Sequence, residues 1–214
     1  MSENYALRDD TRSFLSRQHG LLIDGKFTEG ASGKRTEIID PATEMVIATV
    51  PEADASDVDR AVAAARKAFD KGSWRTMPPA QRSRILHKLA DLIEENGDQI
   101  AEVESLNTGK PVIFCRNGDV AGVAEQIRYM AGWSTKLSGE THSLSLPGEW
   151  HAYTQHEPVG VVGQIVPWNF PFNMAGWKIA PALAVGCTIV LKPAEFTPLS
   201  ALRLGELALE AGVP

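Results

Sequence analysis

The sequence predicts an α/β fold built from four amphipathic helices, a protruding β-hairpin and a strand, helix, strand unit of the parallel-sheet kind. Three observations carry that expectation. Apolar residues recur at helical spacing in four stretches between residues 56 and 137. Residues 140–157 lose that period, and leucine alternates with serine on the way to Pro147-Gly148. Two runs rich in β-branched residues, Val159–Val166 and Cys187–Leu191, then bracket a helical segment, as a crossover between parallel strands requires.

Taken in order, residues 1–19 are polar and weakly patterned. Leu21–Ile23 closes on Asp24-Gly25, a pair suited to a two-residue hairpin turn. Thr36–Ile39 and Met45–Thr49 flank Asp40-Pro41-Ala42-Thr43, a second hairpin whose proline presets the turn. The first helix takes Ser56 as its cap, with Asp59 three residues on and Val58, Val62, Ala65 and Phe69 as its core-facing stripe. Pro79 opens the second, in which Ile85, Leu89, Leu92 and Ile93 share a face and Gly97 ends the run. The third carries Ile100, Val103 and Leu106 and stops at Gly109-Lys110-Pro111. The fourth spans about residues 119–137, with Val120, Val123, Ile127 and Met130 inward. In the hairpin that follows, Pro147-Gly148 suits a type II turn. A two-stranded ribbon is marginal in water, so residues 140–157 are expected to lie against another chain or domain. The crossover helix covers Asn173–Val185, and a last helix runs from about Pro198 to Ala211 before Gly212. The chain therefore divides into residues 1–139, the hairpin 140–157, and a β-α-β-α portion over 158–214.

Composition narrows the function. The chain has 214 residues, 43% hydrophobic, enough for a sizeable core. A net charge of -6 with both signs interspersed argues against nucleic acid as a partner. The polar start over Met1–Asp10 is unlike a signal peptide, and no apolar run reaches membrane-spanning length, so a cytoplasmic location and no membrane partner are expected. Two cysteines, Cys115 and Cys187, are too few for a disulfide scaffold and lack zinc-ligand spacing; the five histidines form no metal pair, so no metal is expected.

The chemistry concentrates in two loops at strand ends, where ligands of such sheets bind. One is Pro167-Trp168-Asn169-Phe170-Pro171 and the other Lys192-Pro193-Ala194-Glu195. Two prolines around one amide side chain restrict the backbone, so Asn169 is held in place. By residue type alone it reads as a side chain that satisfies loop backbone groups. Lys192 and Glu195 read by themselves as a solvated ion pair. Ile165 and Val166 read as core, and Lys178 as a snorkelling helix lysine. Cys187, at the start of a buried strand, reads as an inert small hydrophobe, and Cys115 as structural despite neighbouring Arg116.

Those two loops, with Trp177-Lys178-Ile179-Ala180-Pro181-Ala182-Leu183, resemble the aldehyde dehydrogenase superfamily, and residues 20–214 are similar to its N-terminal portion throughout, including Asp40–Thr43 and Gly109–Pro111. Within it, Phe14–Leu21 and Leu144–Pro147 are similar to bacterial phenylacetaldehyde dehydrogenases. The resemblance implies a Rossmann-type coenzyme domain, and the marginal 140–157 hairpin by itself leads to the expectation of a homo-oligomer, dimer or tetramer, in the full-length protein. It implies oxidation of an aldehyde, phenylacetaldehyde or another aromatic one, with NAD as cofactor and NADP as an alternative. Asn169 would donate to the oxyanion formed when a cysteine attacks the aldehyde, with Lys178 close to the reaction centre. Ile165, Val166, Pro167, Trp168, Lys192 and Glu195 would hold the dinucleotide. The family's glycine-rich turn, nucleophilic cysteine and general-base glutamate have no counterpart in this sequence, so the chain is expected to be a fragment, inactive alone. A competing reading is a catalytically inactive nucleotide-binding or assembly module.

Overall fold

A computed structural model describes residues 6–214; the first five residues of the polar start lie outside it. The parallel unit is as expected: β7 (Val161–Ile165) and β8 (Thr188–Lys192) pair in parallel, joined through α7 (Pro171–Ala184). Pro171 supplies the first turn of α7, where a missing N–H costs nothing, so the helix starts two residues earlier than its apolar period suggests. The last helix, α8 (Leu199–Ala211), ends at Gly212.

The core lies on one side of this sheet. Helices α3 (Pro79–Glu95), α6 (Ala121–Trp133), α7 and α8 bury Leu86, Leu89, Ile93, Ile127, Phe172 and Leu204 together, and α4 (Gly97–Thr108) adds Ile100. Helix α2 (Ala55–Lys71) packs against the strands as well, and the Thr188 hydroxyl donates to the Ala65 carbonyl at 2.9 Å. Residues from both sides of the hairpin thus share one apolar interior. A smaller core joins α1 (Asp9–Ser16) to β3 (Arg35–Ile39), β4 (Val46–Pro51) and α4 through Phe14, Leu15, Ile38 and Val103.

The two N-terminal hairpins form in the expected places. β1 (Leu21–Ile23) and β2 (Lys26–Thr28) meet across Asp24 and Gly25, both at positive φ, as a two-residue turn matched to strand twist requires. Between β3 and β4 the buried Asp40 carboxylate accepts from the Ala42 N–H at 2.9 Å and the Thr43 hydroxyl at 2.8 Å. The 140–157 ribbon is confined to β5 (Thr141–His142) and β6 (Ala152–Tyr153), which pair Thr141 with Tyr153 and His142 with Ala152, and it is almost wholly exposed.

Several sequence expectations need correction. The weakly patterned N-terminus contains α1, because Thr11, Phe14 and Leu15 are buried while Asp9 and Asp10 favour its first turn. The cap of α2 is Asp54, in a reciprocal box with Asp57, and Ser56 merely donates to Asp54. Of the expected stripe only Ala65 and Phe69 are buried; Val58 and Val62 stay exposed because α2 meets the strands through its C-terminal half. Gly97 opens α4 instead of ending α3 in solvent, and a Cβ there would sit 2.7 Å from the Arg116 guanidinium carbon. The fourth helix starts early: α5 (Val112–Phe114) passes through a π turn at Cys115–Val120 into α6. Finally, β7 is not buried on both faces, since only Gln164 among its residues is enclosed. Among the described residues the sheet has two strands, so each covers one edge of the other and leaves its outer edge unpaired.

Candidate functional site

Register brings the two predicted loops to one edge. Ile165 lies opposite Lys192, so both strands end together, and the Val166 N–H donates to the Lys192 carbonyl at 3.2 Å to extend the ladder. The Thr197 hydroxyl then donates to the Trp168 carbonyl at 3.3 Å, tying the second loop to the first. On the strand itself, the buried Gln164 amide donates to the Lys178 carbonyl at 2.8 Å and fixes β7 against α7.

Helix α7 cannot cap its own start. Phe170 precedes it with no side-chain oxygen, and Pro171 has no N–H. The partner comes from α4, where the fully buried Glu104 carboxylate accepts from the Phe172 N–H at 3.4 Å and from Lys110 at 3.3 Å. Lys110 also pairs with Asp119, which accepts from the Asn173 amide at 2.6 Å. The Lys110 ammonium lies 4.7 Å from the centre of the Phe170 ring. Burial raises the Glu104 pKa, and a nearby Ser200 hydroxyl, outside hydrogen-bond geometry, offsets part of that rise. Burial alone would lower the Lys110 pKa, but the Asp119 hydrogen bond and the charges of Glu104 and Asp119 raise it on balance. One turn further along α4, the Asn107 side chain donates to the Phe196 carbonyl at 2.8 Å and accepts from the Leu199 N–H at 3.3 Å. Helix α4 therefore braces both loops.

Asn169 is exposed, and its amide has no hydrogen-bond partner among the described residues, so it is not spent on loop backbone groups. Pro167 and Trp168 are exposed beside it, and Ile165 is 80% exposed. Val166 departs from the expected lining: at 2% exposure its side chain joins the core, and only its backbone can face a ligand. Lys192 and Glu195 form an exposed ion pair at 3.0 Å. A backbone N–H and then Lys192 hold the Glu195 carboxyl below the usual carboxylate range, so it is an ionised acceptor at neutral pH. Lys178 is exposed on α7 about two turns from its start, with no ion-pair partner among the described residues. Phe170 and Phe196, in or beside the two loops, add exposed aromatic surface at this edge, and Trp177 is exposed further along α7.

Both cysteines are buried, and burial pushes the Cys115 thiol up to about 12, so the Arg116 neighbour does not activate it. Among the described residues no group of histidine, cysteine and carboxylate side chains is arranged to hold a metal, and no helix is long and apolar enough to cross a membrane. Sequence reasoning missed Glu104, Asn107, Lys110 and Asp119. A signal existed: Glu104 and Asn107 continue the i, i+3, i+4, i+7 series begun by Ile100 and Val103, placing polar groups on a core-facing stripe.

The profile of the aldehyde dehydrogenase family matches residues 27–214. DhaS of Bacillus subtilis (strain 168) is 56% identical over 202 residues, covering 94% of this chain and 40% of that protein. The phenylacetaldehyde dehydrogenase of Pseudomonas fluorescens is 52% identical, covering 94% of this chain and 41% of that protein. The NAD+ complex of an aldehyde dehydrogenase from Bacillus cereus superposes with a TM-score of 0.93 at 48% identity, covering 98% of this chain and 42% of the other. The chain thus spans about 40% of the length of the relatives it matches.

Proposed function

Because the chain belongs to the aldehyde dehydrogenase family, we propose that it serves the NAD-dependent oxidation of an aldehyde to a carboxylic acid. The observation that carries this reading is the unpartnered Asn169 amide, set between two prolines on the edge that also bears Lys192 and Glu195. Asn169 donates an N–H to the oxygen that gains negative charge when the aldehyde carbon is attacked. An amide suits this role because it donates without titrating, and one such donor lowers the barrier by roughly 3 kcal/mol. Lys178 moves or holds a proton near that centre.

The residues present fit a nucleotide. Glu195, ionised and exposed, can accept from both hydroxyls of a ribose, and Lys192 holds it in place. A 2′-phosphate would meet the Glu195 charge, which favours NAD over NADP, although Lys192 offsets part of the repulsion. Ile165, Pro167 and Trp168 offer an apolar wall and Val166 its backbone. Bound NAD supplies the hydride acceptor. Two features support an aromatic aldehyde: the exposed Trp168 and Phe170 that flank Asn169, and the similarity to a phenylacetaldehyde dehydrogenase. Neither buried cysteine can act as the nucleophile, so residues 1–214 alone give no turnover. The exposed 140–157 ribbon is the surface through which the protein forms a homo-oligomer, dimer or tetramer, in the cytoplasm.

The test is a titration of the chain with NAD and with NADP, followed by resonance shifts, alongside an assay for NADH with phenylacetaldehyde. Weak NAD binding, with a Kd on the order of millimolar, should shift Ile165, Trp168, Lys192 and Glu195, and Glu195→Gln should narrow the preference over NADP. No NADH should form. Shifts centred on the 140–157 ribbon instead, or robust NADH production, would overturn the reading.

A further inference from the structure

Three charged side chains, Glu104, Lys110 and Asp119, converge beneath the first turn of α7, and their contacts lead to residues that directly follow Asn169. Lys110 faces the Phe170 ring at 4.7 Å, Glu104 takes the Phe172 N–H at 3.4 Å, and Asp119 takes the Asn173 amide at 2.6 Å. Stability alone is a poor reason to keep such a cluster, since well-packed apolar residues of similar volume are often as stable or more so. What apolar residues could not do is grip a ring face, an orphan helix N–H and an amide at once.

The flanking prolines leave this grip necessary. Against the sequence expectation, the prolines alone do not hold Asn169: proline fixes its own φ and Pro171 narrows Phe170 before it, but Asn169 keeps two soft backbone dihedrals. The loop is tied on its N-terminal side by Thr197 to the Trp168 carbonyl. On its C-terminal side the Phe170 carbonyl accepts from the Met174 N–H at 2.8 Å, while its ring faces Lys110, which Asp119 and Glu104 hold from below. We propose that Lys110 is a positioning residue: clamped by Asp119 and Glu104, it holds the Phe170 ring and so sets the direction in which the Asn169 amide is presented. The proposal rests on Asn169 being the donor that the reaction uses.

The test uses the isotopically labelled chain without nucleotide or aldehyde, so its failure is separate from a failure of the NAD titration. Lys110→Met, Lys110→Arg, Asp119→Asn and the control Thr11→Val are compared with the parent. Thr11 donates to Glu102 at 2.5 Å between α1 and α4, far along the chain from the loop, and its loss reports general destabilisation. In Lys110→Met the Asn169 side-chain amide and the Trp168 indole signals should move or broaden away, and the Phe172 N–H should exchange about tenfold faster. Asp119→Asn should act in the same direction, and Lys110→Arg, which keeps the cation, should restore the signals. Thr11→Val should lower the melting temperature with those signals in place. If Lys110→Met does not fold, Asp119→Asn decides. Unmoved Asn169 and Trp168 signals in a folded Lys110→Met or Asp119→Asn chain, with a melting temperature lowered as in Thr11→Val, would reduce the cluster to a structural one.

Discussion

Gly176 is a position at which one added methyl group should strain the main core. It is buried in α7 against α6, and a Cβ there would lie 2.5 Å from one Val123 methyl carbon and 2.9 Å from the other. Val123 is itself fully buried and sits in a helix, where a β-branched side chain has essentially one rotamer. Since both of its methyl groups crowd the site, no rotamer clears both, and the two helices must separate. Overpacking of this kind costs about 1–3 kcal/mol. Against it stands the gain of replacing glycine by alanine inside a helix, about 1 kcal/mol. Gly176→Ala should therefore lose roughly 0–2 kcal/mol and melt up to a few degrees lower, at about 2–4 °C per kcal/mol for a chain of this size. Urea unfolding followed by circular dichroism on the parent, Gly176→Ala, Val123→Ala and the double variant measures the effect. In the double variant the new methyl enters the space that Val123 leaves, so the pair should be coupled favourably by about 1 kcal/mol or more. A more stable Gly176→Ala, or strictly additive single effects, would refute the reasoning.

Other outcomes follow from the same geometry. His19 is buried, and its pKa is lowered to about 4, by burial first and then by Arg17 and Arg35. The unfolded chain takes up this proton near the usual histidine value while the native chain resists it. Its contribution is whole above about pH 6.5 and is lost as pH falls towards about 4, by up to about 3 kcal/mol. The difference between parent and His19→Leu in urea midpoints across that window measures it, and parallel pH profiles would refute it. Arg82, buried, donates to the Ala184, Met77 and Trp74 carbonyls at 3.3, 2.6 and 3.4 Å. Arg82→Met leaves these acceptors unpaired and should cost roughly 2–4 kcal/mol in the same assay. Cys115 and Cys187 should both resist an aromatic disulfide reagent in the native chain and react together in urea; a thiol that reacts quickly under native conditions would contradict their burial.

Features that depend on near neighbours were readable directly. Asp24-Gly25 announces its turn because few residue pairs accept two positive φ angles in succession. The helices around Leu89, Val103 and Ile127 follow from apolar period, and the parallel pair from two β-branched runs separated by a helix. Family motifs likewise singled out Asn169, Lys192 and Glu195, which the register of β7 and β8 does bring to one edge.

Long-range partners were not readable. Period cannot say which end of α2 meets the sheet, so Val58 and Val62 looked like core and are exposed. Alternation along β7 could not separate Ile165, turned outward, from Val166, turned inward. Above all, Glu104 and Phe172 are 68 residues apart in sequence, yet one caps the first turn of the helix in which the other lies. A local sequence specifies which backbone groups a helix start leaves unpaired, but the side chain that answers them is chosen by how distant helices pack, because only packing brings the two within hydrogen-bond reach.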